Sequence, residues 1–210
     1  MPHTTFAFQE ITMHRALVAF LLSLVACGSP TESAPPVGTS PPNPGPVASF
    51  SAESWRAEDI ELPPVFAPGL PPGREKVLFA PGMFDVDAAD YWSYTFVLRV
   101  EEQGYDAARL TDFFEQYYDG LILGIADTRE LDVPPDPATV QMESSGRRRF
   151  AGTVDLVDAF TDGRQIRVHL RVHVVEEDDG TTTMRVRASP QPDGHAIWDP
   201  LTMAMRTLNV

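Results

Sequence analysis

The sequence has one cysteine, Cys27, among 210 residues, so no disulfide can form within the chain. Because it has no second cysteine to pair with in the chain, the Cys27 thiol has a role other than an internal disulfide, or no role. The chain also lacks a G-x-S-x-G motif, and only three histidines follow Cys27: His169, His173 and His195. With so few candidate nucleophiles and bases, the sequence names no catalytic residue and favours a non-enzymatic role.

Long hydrophobic runs are also missing. The amino-terminal apolar run, residues 16–26, has eleven residues, whereas a membrane helix needs about 20. A basic residue precedes the run and small residues end it, as in a cleaved secretory signal. We therefore predict a signal peptide over residues 1–26. Met13 is the preferred initiator, because the twelve residues before it carry Glu10 and no Lys or Arg.

The signal ends in Leu24-Val25-Ala26-Cys27, followed by Gly28. This segment resembles the lipobox of bacterial lipoproteins. The resemblance implies a diacylglycerol on the Cys27 thiol and fatty acyl chains such as palmitate, which would anchor the protein in a membrane. In such lipoproteins an Asp directly after the cysteine retains the protein at the inner membrane, and this chain has Gly28 there. The resemblance therefore implies the outer membrane, on its periplasmic or surface side. An ordinary cleaved signal near a free cysteine is the alternative.

A proline-rich segment follows the lipidation site. Residues 28–49 hold seven prolines among 22 residues, with Ser, Thr and Gly between them and no apolar periodicity. Such a composition cannot bury enough surface to fold. We predict a tether over residues 27–49 and a single domain over residues 50–210.

Basic residues are in deficit. The 16 Lys and Arg against 30 Asp and Glu give a net charge of −14, which repels phosphate backbones and anionic headgroups. We therefore expect no nucleic-acid partner and contact with the membrane only through the lipid. We expect no metal or other cofactor either. On a strand His169 and His173 lie about 13 Å apart, too far to share one ion.

The apolar pattern after residue 90 predicts an α+β fold. Residues 92–100 alternate as a half-buried strand, and Asp106 caps an amphipathic helix of about 18 to 20 residues. Four further strands are predicted at 138–143, 148–160, 165–177 and 181–189. Asp199 caps a short last helix. We expect one twisted antiparallel sheet of five to six strands with both helices on one face.

Alternation in the last two strands points six basic side chains to one face of the sheet: Arg167, His169, Arg171, His173, Arg185 and Arg187. The cross-strand pairs expected from short Gly turns are Asp155 with His169, Arg171 with Arg187, and His173 with Arg185. By contrast, the Arg147-Arg148-Arg149 run is interpreted as a charged strand edge.

Three interpretations of this basic face stay open. Nearby carboxylates could neutralise it as an exposed salt-bridge network. Alternatively, it is an anion site for a carboxylate, a phosphate or a sulfated glycan, or a surface for a protein partner. An envelope hydrolase with its site on this face is the alternative to a non-enzymatic module.

Three segments carry a further resemblance: residues 62–69 (LPPVFAPG), 79–85 (FAPGMFD) and 91–97 (YWSYTFV). They are similar to a group of uncharacterised secreted or lipid-anchored bacterial proteins, over most of residues 54–210. The resemblance implies no activity and no functional residue. The sequence therefore favours a lipid-anchored envelope protein that presents a ligand-binding or partner-binding surface on a tether.

Overall fold

The computed structural model of the protein describes residue 51 and residues 53–209. The predicted signal peptide, Cys27 and the tether lie outside these residues. The strands are β1 (Arg56–Leu62), β2 (Gly73–Phe79), β3 (Tyr94–Val100), β4 (Ala138–Gly146), β5 (Arg149–Val157), β6 (Gln165–Glu176) and β7 (Thr182–Ser189). The helices are α1 (Ala107–Arg129), between β3 and β4, and α2 (Trp198–Thr207), after β7.

All seven strands form one antiparallel sheet in the order β1-β2-β3-β7-β6-β5-β4. The predicted α+β class is therefore confirmed, but five to six strands is wrong. Two strands, β1 and β2, precede the Trp92–Val100 pattern. Residues 63–72, which hold five prolines, join these two paired strands.

Strand β3 is buried on both faces, whereas its alternation predicted one solvated face. Tyr94 and Phe96 point to one side, and Thr95 and Val97 point to the other, all four nearly inaccessible to solvent. A strand buried on both sides needs cover on both sides. One helix supplies that cover on each face.

Helix α1 covers the face that carries Tyr94 and Phe96, called here the aromatic face. As predicted, Asp106 caps the helix: its Oδ1 accepts the backbone N–H of Arg109 at 2.9 Å. The helix has 23 residues, longer than predicted. Its rings lie directly on the strand, with the Phe96 centroid 6.4 Å from that of Phe114 and 6.0 Å from that of Tyr117.

Helix α2 lies on the opposite face, so the prediction of both helices on one face is wrong. It buries Leu201, Ala204 and Met205 in one apolar cluster with Leu78 and Val97. The physical reason is that β2 and β3 carry apolar side chains on both faces, and the second set also needs cover.

The start of α2 also differs from the prediction. The helix begins at Trp198, so Asp199 lies in its first turn and is not its N-cap. Within residues 53–209, neither helix is long and apolar enough to cross a membrane.

Candidate anion-binding site

Alternation along β6 and β7 sets the basic side chains on the same face as α2. Buried Val168, Leu170 and Val172 point to the aromatic face, which leaves the residues between them on the other side. The structure brings all six predicted basic residues to this side, called here the arginine face: Arg167, His169, Arg171, His173, Arg185 and Arg187.

The register between β6 and β7 agrees with the sequence prediction. Arg171 lies opposite Arg187, and His173 lies opposite Arg185. The expected pair of Asp155 with His169 is wrong, because Asp155 lies opposite Arg167. The prediction assumed a three-residue loop between β5 and β6, whereas residues 158–164 separate the two strands. The longer loop shifts the pairing by two residues and keeps the same face.

Two of the predicted arginines are neutralised by carboxylates. Arg167 donates from Nε and Nη2 to both carboxylate oxygens of Asp155, at 2.6 and 2.7 Å, and these hydrogen bonds lower the pKa of Asp155. Arg171 donates to Asp193, and its guanidinium lies 3.8 Å from the centre of the Trp198 ring. For these two residues the salt-bridge interpretation holds.

The arginines of β7 bind neutral oxygens of α2 and its C-cap. Arg187 donates from Nη1 to the Thr202 hydroxyl at 2.8 Å, and Arg185 donates from Nη1 to the Leu208 carbonyl at 3.5 Å. Among the described residues, neither has a carboxylate within 4.0 Å. Partial burial lowers the pKa of Arg187, and the positive charges of Arg171 and Arg149 lower it further.

Arg149 belongs to the site, although the sequence placed it at a strand edge. Strand β5 is an interior strand, between β6 and β4. Arg149 lies opposite His173, which in turn lies opposite Arg185. These three residues form a line across adjacent strands, called here the basic row. Extending the predicted alternation of Asp155 along β5 would have found Arg149, because the two residues are six positions apart.

The basic row concentrates positive charge. Residues directly opposite in an antiparallel pair are about 5 Å apart, so the row spans about 10 Å between the Cα atoms of Arg149 and Arg185. Its central side chain, His173, is half-buried. Burial lowers the pKa of His173, and the charges of Arg149, Arg185, Arg148 and Arg187 lower it further.

A groove of about 620 Å³ lies beside Arg185, with Val97, Val175 and Thr183 among its lining residues. Its other charged residues are Arg99, Glu177, Asp178 and Asp179. Arg99 pairs with Asp179, so Arg185 is the lining cation without a carboxylate partner among the described residues. The three acids of the groove disfavour an anion at that end, which leaves the β5 side of Arg185 open to one.

His169 lies four residues along β6 from His173, outside the basic row, and is opposite Thr153 and Ser189. The carboxylate that the sequence placed beside it, Asp155, binds Arg167 instead. Within the described residues, no group of His, Cys, Asp and Glu side chains is arranged to hold a metal ion. The chemistry that this face offers is hydrogen bonding from guanidinium groups to an oxyanion.

Comparison with known proteins finds no matching family model, no matching curated protein and no matching solved structure. The similarity of residues 62–97 to uncharacterised secreted bacterial proteins therefore stays a prediction. The candidate site rests on its own geometry.

Proposed function

We propose that this protein is a lipid-anchored envelope protein whose domain binds an oxyanion on the arginine face, without catalysing a reaction. One observation carries the proposal. The basic row sets three cationic or titratable side chains opposite one another, and no carboxylate among the described residues lies within 4.0 Å of either of its arginines, Arg149 and Arg185.

The arrangement is costly for the fold alone. On this face Arg171 lies directly opposite Arg187, and like charges directly opposite on neighbouring strands are destabilising. A local violation of this kind is expected where a binding site needs it. An oxyanion between Arg149 and Arg185 would receive planar, bidentate donors from both sides. It would also neutralise the charge that crowds His173.

A salt-bridge network accounts for only part of this face. It explains Arg167 and Arg171, each of which has a carboxylate partner. It does not explain Arg149, Arg185 and Arg187. A hydrolase is less well supported, because the strand partners of His169 among the described residues are Thr153 and Ser189, neither of which is a carboxylate.

The proposed oxyanion could come from a small molecule or from a glycan. We expect the full-length chain to bind inorganic sulfate and a sulfated oligosaccharide saturably, in excess of chloride at equal ionic strength. The Arg149→Gln, Arg185→Gln double variant should weaken both interactions by about tenfold or more, because each charge-assisted hydrogen bond contributes about 1.5 to 3 kcal/mol. Calorimetric titration measures the affinities, and a preference between the two probes distinguishes the sources.

Arg167→Gln is the matched control. Arg167 has the same chemistry on the same face, but Asp155 already neutralises it. Its loss should leave sulfate affinity within about twofold of the parent, since exposed ion pairs contribute little. Equal weakening in the control and the double variant would mean that net charge alone drives binding. No sulfate binding by the parent would overturn the proposed function.

The lipid anchor is the second part of the proposal, and Leu24-Val25-Ala26-Cys27 supports it. Two or more acyl chains hold a protein durably to a membrane, whereas one chain gives only marginal binding. Metabolic labelling with a palmitate analogue should therefore mark the parent, and Cys27→Ser should abolish both the label and the membrane fraction. Equal labelling of the two chains would remove the anchor from the proposal.

A further inference from the structure

The structure places a histidine at the centre of the basic row, and the charges around it have one sign. From β5 and the turn before it, Arg149 and Arg148 act on His173, and from β7, Arg185 and Arg187 do. On its own strand, Arg171 is two residues away on the same face and is paired with Asp193. From the C-cap of α2, the Leu208 carbonyl contributes at this point, and it already accepts a hydrogen bond from Arg185.

Carboxylates do not offset this charge at the row itself. Glu143 of β4 is on the same face, but it lies opposite Ala151, two residues along β5 from Arg149. It forms no ion pair within the described residues. Glu177, Asp178 and Asp179 line the groove beside Arg185. A proton on His173 would therefore add a positive charge among arginines, at a half-buried position, which is why the neutral ring is favoured.

From this geometry we infer that the arginine face is a proton-coupled anion site. An oxyanion bound between Arg149 and Arg185 causes the unprotonated ring nitrogen of His173 to take up a proton from solvent. The inference rests on the proposed function, because it concerns the same site. The anion offsets the repulsion that keeps the ring neutral, and the protonated ring supplies an additional N–H donor to it. By linkage, anion affinity must then rise as the pH falls.

The sign of the effect follows from the charges. In the free protein, burial and four arginines hold the pKa of His173 below its ordinary value of 6.5. In the complex, the negative charge of the anion shifts that pKa upward. At a pH between the pKa of the free protein and the pKa of the complex, binding takes up a proton. Each unit of difference between these two pKa values strengthens binding about tenfold at low pH relative to high pH.

Sulfate is the probe for the test, because it does not titrate between pH 5 and pH 8 and any proton taken up belongs to the protein. The imidazole signals of the full-length chain are followed by NMR through pH titrations in sodium sulfate and in sodium chloride at equal ionic strength. His173→Gln assigns the signal of the central ring.

We expect the titration midpoint of His173 to rise by about one unit in sulfate relative to chloride. Sulfate affinity of the parent should increase about tenfold from pH 8 to pH 5, and that of His173→Gln should not change. Sulfate binding that requires Arg149 and Arg185 but leaves the His173 midpoint unmoved would overturn the coupling and leave the proposed function standing. Absence of sulfate binding at every pH would overturn both.

Discussion

The two faces of the sheet are covered to different extents. On the aromatic face, α1 packs against β4 and β5, and a chain of ring contacts links Phe96 of β3 to Phe114, Tyr117 and Tyr118. On the arginine face, α2 is less than half as long. It covers β3 and β7 and leaves β5 and most of β6 in contact with solvent.

The two faces of the sheet therefore differ in how far their side chains are shielded from solvent. The aromatic face is a closed apolar core, where burial of rings and aliphatic side chains stabilises the fold. The arginine face is half-solvated, so guanidinium groups can be held by partial burial and by neutral oxygens without full dehydration. The closed apolar core therefore lies on one side of the sheet, and the proposed binding site lies on the other.

One buried carboxyl group departs from this division. Glu75 is on the aromatic face and is inaccessible to solvent. Its Oε1 accepts a hydrogen bond from the Tyr117 hydroxyl at 2.9 Å, and its Oε2 has no partner among the described residues. Burial raises the pKa of Glu75 to about 7, against the lowering effect of the Tyr117 hydrogen bond.

The largest expected effect tests the stability of the aromatic face. Phe114→Ala removes a fully buried ring that contacts Phe96, Phe113 and Tyr118. We expect it to lower the free energy of unfolding by about 3 to 5 kcal/mol, through lost burial and the cavity left behind. Urea denaturation followed by circular dichroism measures the change.

Met203→Ala is the control for this prediction, because Met203 lies on the solvent side of α2 and is 52% exposed. Its loss should change the unfolding free energy by no more than about 0.5 kcal/mol. If the two substitutions had equal effects, the contrast between the closed face and the half-open face would be lost.

A smaller effect comes from Glu75. Its folded pKa of about 7 lies above the ordinary value of 4.5, so the folded state holds the proton more tightly than the unfolded chain does. The contribution of Glu75 to stability is therefore fully present below about pH 4.5 and declines as pH rises to 7, by at most about 3 kcal/mol. Glu75→Gln, which cannot ionise, should remove this decline.

The measurement is urea denaturation at a series of pH values from 4 to 8. Glu143→Gln is the matched control: Glu143 is exposed on β4, so the decline should persist in that variant. A parent protein whose stability is level from pH 4.5 to pH 7 would show that Glu75 keeps an ordinary pKa in the fold.

Several local features could be predicted because neighbours in sequence determine them. Asp106 precedes a helical apolar pattern, and it caps α1 through its own side chain. The Asp179-Gly180 turn has Gly180 at φ 86°, which fixes the tight connection that pairs His173 with Arg185. In both cases the controlling interaction spans only a few residues.

The sequence predictions that were wrong involve contacts between distant parts of the chain. The burial of β3 on both faces depends on a helix that begins about 100 residues later. The place of Arg149 depends on β5 being interior, which is a property of the sheet order. No periodicity within residues 147–149 distinguishes an edge strand from an interior one.

The sequence alone determined the α+β class, the antiparallel pairing of β6 with β7 and the shared face of their six basic side chains. Alternation and turn geometry act over short distances and suffice for these features. Only the tertiary structure decided which helix covers which face, which arginines obtain a carboxylate, and that Arg149, His173 and Arg185 stand in one row. These depend on strand order and loop length, which bring together side chains that are far apart in the chain.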